Sequence, residues 1–157
     1  MKGIILNSEQ VNTILETGIL EYRKAIKLSD AKGERFFATT NKPPQGSIKF
    51  EFSYNPESIN DSTILEDPFG ELGDKLFVKE SFCKIWNAFL IQQYKDGSYY
   101  YKASWDLVDY YMCGKKFKWK PATNMRQDQS RLTVEITDIK VEKADVWEWV
   151  VNLKLIK

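Results

Sequence analysis

The sequence predicts an α+β fold, a small and mostly antiparallel β-barrel with one or two covering helices. Three observations carry that expectation. Apolar residues alternate with polar ones in short runs from one end of the chain to the other. A clear helical period of apolar residues stands near the start, at Val11, Ile14 and Leu15. Turn signals rich in Gly, Pro, Asn and Asp separate the runs. The 157 residues fit one domain, and a chain of this length buries roughly 70% of its unfolded surface without help from a metal or a disulfide.

Taken in order, Gly3 to Leu6 reads as a short buried strand. Ser8 is expected to cap a helix of about two turns, and Gly18 stands where a helix C-cap is expected. Ile19 to Ile26 reads as extended, and residues 28 to 47 are polar and rich in turn formers. Ser47 to Phe52 alternates and reads as a half-buried strand. From 51 to 74 the chain carries Glu51, Glu57, Asp61, Glu66, Asp67, Glu71 and Asp74 with no Lys or Arg, and an acidic, solvated loop is expected there. Lys75 to Lys79 reads as a strand, and Asp96-Gly97 marks a hairpin between two more. Ser104 to Met112 reads as a weaker helix. Leu132, Val134 and Ile136 share one face of a strand, then Ile139 and Val141 continue in the other phase, so a β-bulge is expected near Thr137-Asp138. Trp147, Trp149, Val151, Leu153 and Leu155 form a last alternating strand, with Glu148, Asn152 and Lys154 on its other face.

Composition narrows the chemistry. Twenty-three Lys and Arg against 22 Asp and Glu leave a net charge of +1, so no strong global field attracts nucleic acid or membrane. The chain has no histidine, which excludes His-based triads, His general bases, most catalytic zinc sites and His pH switches. Cys83 and Cys113 lack metal-ligand spacing and read as two reduced, mostly buried thiols. No metal and no cofactor is expected. The apolar run at Ile4-Ile5-Leu6 is too short for a signal peptide. No run approaches the roughly 20 residues that span a bilayer. A soluble, cytoplasmic protein with no membrane partner is the expectation.

Three constellations carry candidate chemistry. The first is Arg23-Lys24-Ala25-Ile26-Lys27, where the rigid fork of Arg23 suits a phosphate or a carboxylate; a solvated strand end is the plainer alternative. The second spans residues 114 to 131. Six basic residues, among them Lys118, Lys120, Arg126 and Arg131, stand there against Asp128 alone. Lysines alternating with Phe117 and Trp119 suit a nucleic acid, since cations follow phosphates while rings stack on bases. An amphipathic strand with its rings buried fits the same pattern. The third is Lys75-Leu76-Phe77-Val78-Lys79-Glu80, where a carboxylate beside two lysines suits a base or a base-edge contact, or an ordinary surface pair.

Several segments form a recognisable set: Ile14-Leu15-Glu16, Arg23 to Lys27, Pro68-Phe69-Gly70, Gly73-Asp74-Lys75-Leu76-Phe77-Val78-Lys79-Glu80-Ser81-Phe82, Tyr101-Lys102-Ala103, Lys118-Trp119-Lys120-Pro121, Asn124-Met125-Arg126, Ser130 to Asp138 and Trp147 to Val151. The set resembles the ASCH-type proteins (activating signal cointegrator homology, PUA-like superfamily) found in phages and prophages. It covers both ends and the middle, so one domain over 1–157 is expected, with variable insertions near 28–65 and 83–113. The resemblance implies a PUA-like β-barrel with helices over it and a cleft for RNA or a nucleotide. Some small members deacetylate acetylcytidine with a Lys and a Thr in a Gly-Arg-Lys-Thr-x-Thr-x-Arg-like motif and a Glu elsewhere. The matching stretch here is Thr17 to Lys24, with Ile19 where the Lys stands and Leu20 and Tyr22 where the threonines stand. Ile cannot donate, accept or attack, so that chemistry reads as lost. The segment Lys143-Ala144-Asp145-Val146 replaces the acidic helical insert that phage members usually carry between their last two strands.

The leading expectation is therefore a module that binds RNA, single-stranded nucleic acid or a nucleotide without catalysis. Its candidate contacts are Arg23, Lys24, Lys75, Lys79, Glu80, Lys118, Trp119, Lys120, Asn124, Arg126 and Arg131. A second reading is a phage accessory protein that binds and inhibits a host protein. A third is a residual acetylcytidine-type amidohydrolase using Glu80 with Lys79 or Lys75.

Overall fold

In the computed structural model, residues 1–27, 37–41, 49–53, 62–66, 68–84, 99–104 and 119–157 are described, with the backbone alone for 37–41, 49–53 and 62–66. These residues hold ten strands and one α-helix, an α+β arrangement with mostly antiparallel strand pairs. Three sheets run in the orders β1 (Lys2–Ile5)-β6 (Lys75–Lys79)-β9 (Thr133–Lys143)-β10 (Trp147–Leu155)-β2 (Ile19–Ala25), β3 (Phe37–Asn41)-β4 (Lys49–Ser53)-β5 (Ser62–Glu66) and β7 (Phe82–Lys84)-β8 (Tyr99–Tyr101). By contact the chain divides into two compact units. The first is Met1–Gly18, Leu76–Val134 and Leu155–Lys157; the second is Ile19–Lys75 and Glu135–Lys154.

In the first unit, β1 (Lys2–Ile5) runs parallel to β6 (Lys75–Lys79), with Gly3 opposite Phe77 and Ile5 opposite Lys79. Helix α1 (Ser8–Thr17) follows at once. Its cap is Asn7 rather than Ser8. Asn7 Oδ1 accepts from the Gln10 N–H at 2.8 Å, and Gln10 Oε1 accepts from the Asn7 N–H at 2.9 Å. This reciprocal box satisfies two N–H groups that have no partner inside the helix, which the Ser8 hydroxyl is one residue too late to do. Gly18 closes the helix in the left-handed region at φ 76°, and its N–H donates to the Ile14 carbonyl. The buried stripe is narrower than the sequence suggests. Val11 and Ile14 are buried, whereas Leu15 is 41% exposed.

Strand β7 (Phe82–Lys84) pairs with β8 (Tyr99–Tyr101), and Phe82 bridges Lys120 on its other side. In this unit Leu6, Val11, Ile14, Val78, Phe82, Met125 and Val134 are buried.

In the second unit, β2 (Ile19–Ala25) is antiparallel to β10 (Trp147–Leu155), from Ile19 opposite Lys154 to Ala25 opposite Glu148. Strand β9 (Thr133–Lys143) meets β10 through a tight turn in which the Ala144 N–H donates to the Val146 carbonyl. Burial in β9 switches from Val134 and Ile136 to Ile139 inside one unbroken strand, at the place where the apolar pattern slips phase. The turn into β6 depends on Gly70, at φ 145°, where an added Cβ would stand 2.5 Å from Asp74 Oδ2. That carboxylate accepts from the Glu71 N–H instead.

The acidic stretch from 51 to 74 is not one loop. It holds the end of β4 (Lys49–Ser53) and the whole of β5 (Ser62–Glu66), and β4 lies between β3 (Phe37–Asn41) and β5. The physical reason lies in Ser62-Thr63-Ile64-Leu65, a run with β-branched residues that the surrounding carboxylates mask in a composition reading. The Asp96-Gly97 hairpin, residues 105–112 of the weaker helix, and Cys113 lie outside the described residues; Lys102–Ser104 forms a 3-10 turn. No helix among the described residues is long and apolar enough to cross a membrane.

The cap assignment is testable by denaturant unfolding. Asn7→Ala is expected to lower stability by about 1 kcal/mol, and Ser8→Ala by less than about 0.5 kcal/mol.

Candidate functional site

Glu80 directly follows β6 and is 2% exposed, the one buried charged residue among the described residues. A buried carboxylate costs several kcal/mol unless a cation pairs with it. Arg131 supplies the pairing. Its Nε donates to Glu80 Oε1 at 2.9 Å and its Nη2 to Oε2 at 3.1 Å, a side-on fork that uses both oxygens. The backbone delivers Arg131 to this place. The Val78 N–H donates to the Leu132 carbonyl, and the Ser130 hydroxyl donates to the Val78 carbonyl at 2.7 Å. These bonds hold 130–132 antiparallel to β6, with Arg131 beside Glu80.

The guanidinium is also fixed from its face. Arg131 Cζ lies 4.4 Å from the centroid of the Tyr101 ring. The Tyr101 hydroxyl donates to the Gln129 carbonyl at 2.8 Å, and Gln129 Nε2 donates to the Tyr99 hydroxyl at 3.2 Å. Arg131 keeps a side-chain exposure of 26%. Its Nη1 has no hydrogen-bond partner among the described residues.

Lys120 joins the same row. Phe82 stands between Tyr101 and Lys120 in the ladder, and directly opposed residues in antiparallel pairs project to one side. Lys120 Nζ lies 6.0 Å above the Phe82 ring. Trp119 is half-buried and Lys120 exposed. Lys79 reaches the Thr123 carbonyl at 3.5 Å and lies over the Phe77 ring. Asn124 is exposed in the 3-10 turn Ala122–Asn124. Arg126 pairs with Asp128 at 3.0 Å, both well exposed, and such a pair contributes about 0–1 kcal/mol. Lys118 lies outside the described residues.

Over 79–84, 99–104 and 119–131, six basic residues face two carboxylates, Glu80 and Asp128. Each carboxylate is already paired with an arginine. The basic residues exceed the carboxylates by four charges in segments that also carry Tyr99, Tyr101 and Trp119. Comparison with protein-family models, curated proteins and solved structures finds no match for this chain.

The other sequence-predicted cations, Arg23, Lys24 and Lys75, belong to the second unit. Arg23 is engaged by three carboxylates: Glu21, Glu142 at 2.9 Å and Glu148 at 3.2 Å. Lys140 pairs with Glu142 at 2.6 Å. A phosphate at Arg23 meets three carboxylates against two cations. Lys24 Nζ lies 5.5 Å from the centroid of the Phe69 ring, and Tyr22 meets the same ring edge-on at 5.6 Å. Burial pushes the Tyr22 hydroxyl above its usual pKa. Ile19 is 64% exposed, and Lys75 is exposed.

Composition alone passes over Tyr101 and Gln129. The signal for Tyr101 lies in Tyr99-Tyr100-Tyr101, where strand alternation buries Tyr100 and leaves its two neighbours half-exposed. Gln129 carries no sequence signal of its own, because its role runs through its carbonyl and its place in a short turn. Cys83 is buried and free, and its thiol pKa is pushed up by burial against the opposing effect of Lys120.

The Arg23 network makes a pH prediction. Hydrogen bonds from Lys140 and then Arg23 hold the Glu142 carboxyl below its ordinary value of 4.5. A depressed carboxylate contributes stability above its unfolded pKa and loses it as pH falls through the folded one. Thermal melts are expected to show a larger acid-induced drop in Tm below pH 4.5 for the native chain than for Glu142→Gln.

Proposed function

We propose that this chain is an ASCH-type, PUA-like protein of phage or prophage kind. In this reading it binds RNA, single-stranded nucleic acid or a nucleotide in the cytoplasm, without catalysis. The observation that carries the reading is the Tyr101-Phe82-Lys120 row with Arg131 laid on Tyr101. Cations follow a sugar–phosphate backbone there while the half-exposed rings of Tyr99 and Trp119 supply stacking surfaces for bases, each worth on the order of 1–3 kcal/mol. The basic excess of these segments attracts phosphates, and Glu80 and Asp128 are each already paired with an arginine. The family reading also carries closure of the five-stranded order into a small barrel.

The catalytic alternative is weaker for a geometric reason. Glu80 has both oxygens on Arg131 and almost no exposure, so it cannot meet a substrate proton without breaking the fork.

Fluorescence anisotropy with a labelled oligo-uridine tests the proposal. Binding is expected at low salt, weakening on a log–log slope of roughly −2 to −3, about −0.7 for each phosphate contacted on a single strand. No binding to RNA or single-stranded DNA at low salt overturns it.

A further inference from the structure

Arg131 is held more tightly than a surface arginine that follows a mobile phosphate. Its side-on edge is filled by the buried Glu80, and one face lies on Tyr101. The Tyr101 ring is itself anchored through its hydroxyl to the Gln129 carbonyl. What remains is the end-on edge, where Nη1 has no partner among the described residues. Lys120 stands over the neighbouring ring of the same row, two strand spacings from Tyr101, about 10 Å between backbones, a span that two long cationic side chains close around one phosphate.

We propose that Arg131 and Lys120 form one preset phosphate seat, with Glu80 as the positioning residue that fixes the guanidinium. The inference rests on the nucleic-acid reading above and names the group which that surface takes first. Arg131 meets the phosphate end-on through its outer N–H groups, and Lys120 adds a second charge from the side. Glu80 touches no ligand. Its carboxylate turns the guanidinium into a rigid donor, so little rotamer entropy is lost on binding. A backbone phosphodiester and the phosphate of a free nucleotide present the same chemistry to this seat.

Glu80→Gln separates positioning from field. Removing a carboxylate makes the surface more positive, and field alone then tightens binding. Loss of the fork predicts the opposite: about tenfold weaker binding of a labelled oligo-uridine decamer, with the salt slope unchanged because no cation is lost. Arg131→Lys keeps the charge without the flat fork, and predicts the same pattern. Lys120→Ala lowers the slope by about 0.7. Near-ultraviolet circular dichroism confirms folding, and Arg131→Lys carries the test if Glu80→Gln fails to fold. Competition with uridine monophosphate and inorganic phosphate separates the sources: displacement assigns the seat to a terminal phosphate, and its absence to the strand's phosphodiester. A native chain that binds the decamer, with Glu80→Gln and Arg131→Lys binding equally well, overturns the seat and leaves the broader reading standing. A native chain that binds none of these probes overturns both.

Discussion

A carboxylate taken out of water sets the terms for everything around it. Glu80 is buried at the end of β6, and its desolvation is compensated only if a cation reaches it with both oxygens satisfied. That requirement fixes the side chain of Arg131. The backbone must then cooperate, and it does so through Ser130 and Leu132 bonded to Val78. With Arg131 in place, the Tyr101 ring gains a cation over its face, and its hydroxyl ties 127–129 to β8. A single buried charge thus links β6, β8 and the chain entering β9.

Arg23 shows what the same residue type does without burial. Its partners are three partly exposed carboxylates, where water and salt screen each interaction. Nothing there orients the guanidinium for a ligand, because its donors are taken by acids. The charge distribution follows the same division. Among side chains described in the first unit, eight basic residues stand against four acidic; in the second, seven stand against eight. A net charge of +1 over the whole chain conceals this segregation. The basic excess sits in the unit that holds the Glu80–Arg131 pair.

The parts that sequence reasoning reaches are those set by periodicity. Val11 and Ile14, the Lys75–Lys79 strand, the change of phase after Ile136 and the Trp149-Val151-Leu153 face all follow from which side of a regular element meets the core. The misses are of another kind. Ser8 and Asn7 are both good capping residues one position apart, and only the Gln10 side chain decides between them. Strand β5 was hidden by its acidic surroundings. For the site, the residue types in 119–131 announce a basic and aromatic surface. The Glu80–Arg131 pair spans 51 positions, and no local pattern reports a contact at that separation. Arg23 and Arg131 look alike in sequence; only the surroundings distinguish a guanidinium caged by acids from one held against a single buried carboxylate.

The same lock limits what Glu80 can do chemically. A general base needs an accessible lone pair, and a carboxylate that spends both oxygens on a bidentate arginine has traded reactivity for orientation. The positions that resemble a catalytic Lys and two threonines are Ile19, Leu20 and Tyr22. Of these, Tyr22 alone carries an ionisable group, and burial makes its hydroxyl harder to deprotonate. What the lock yields instead is geometry. A guanidinium with one edge and one face fixed presents its remaining donors in one direction, which is the property a rigid anion contact needs and a proton-transfer group does not.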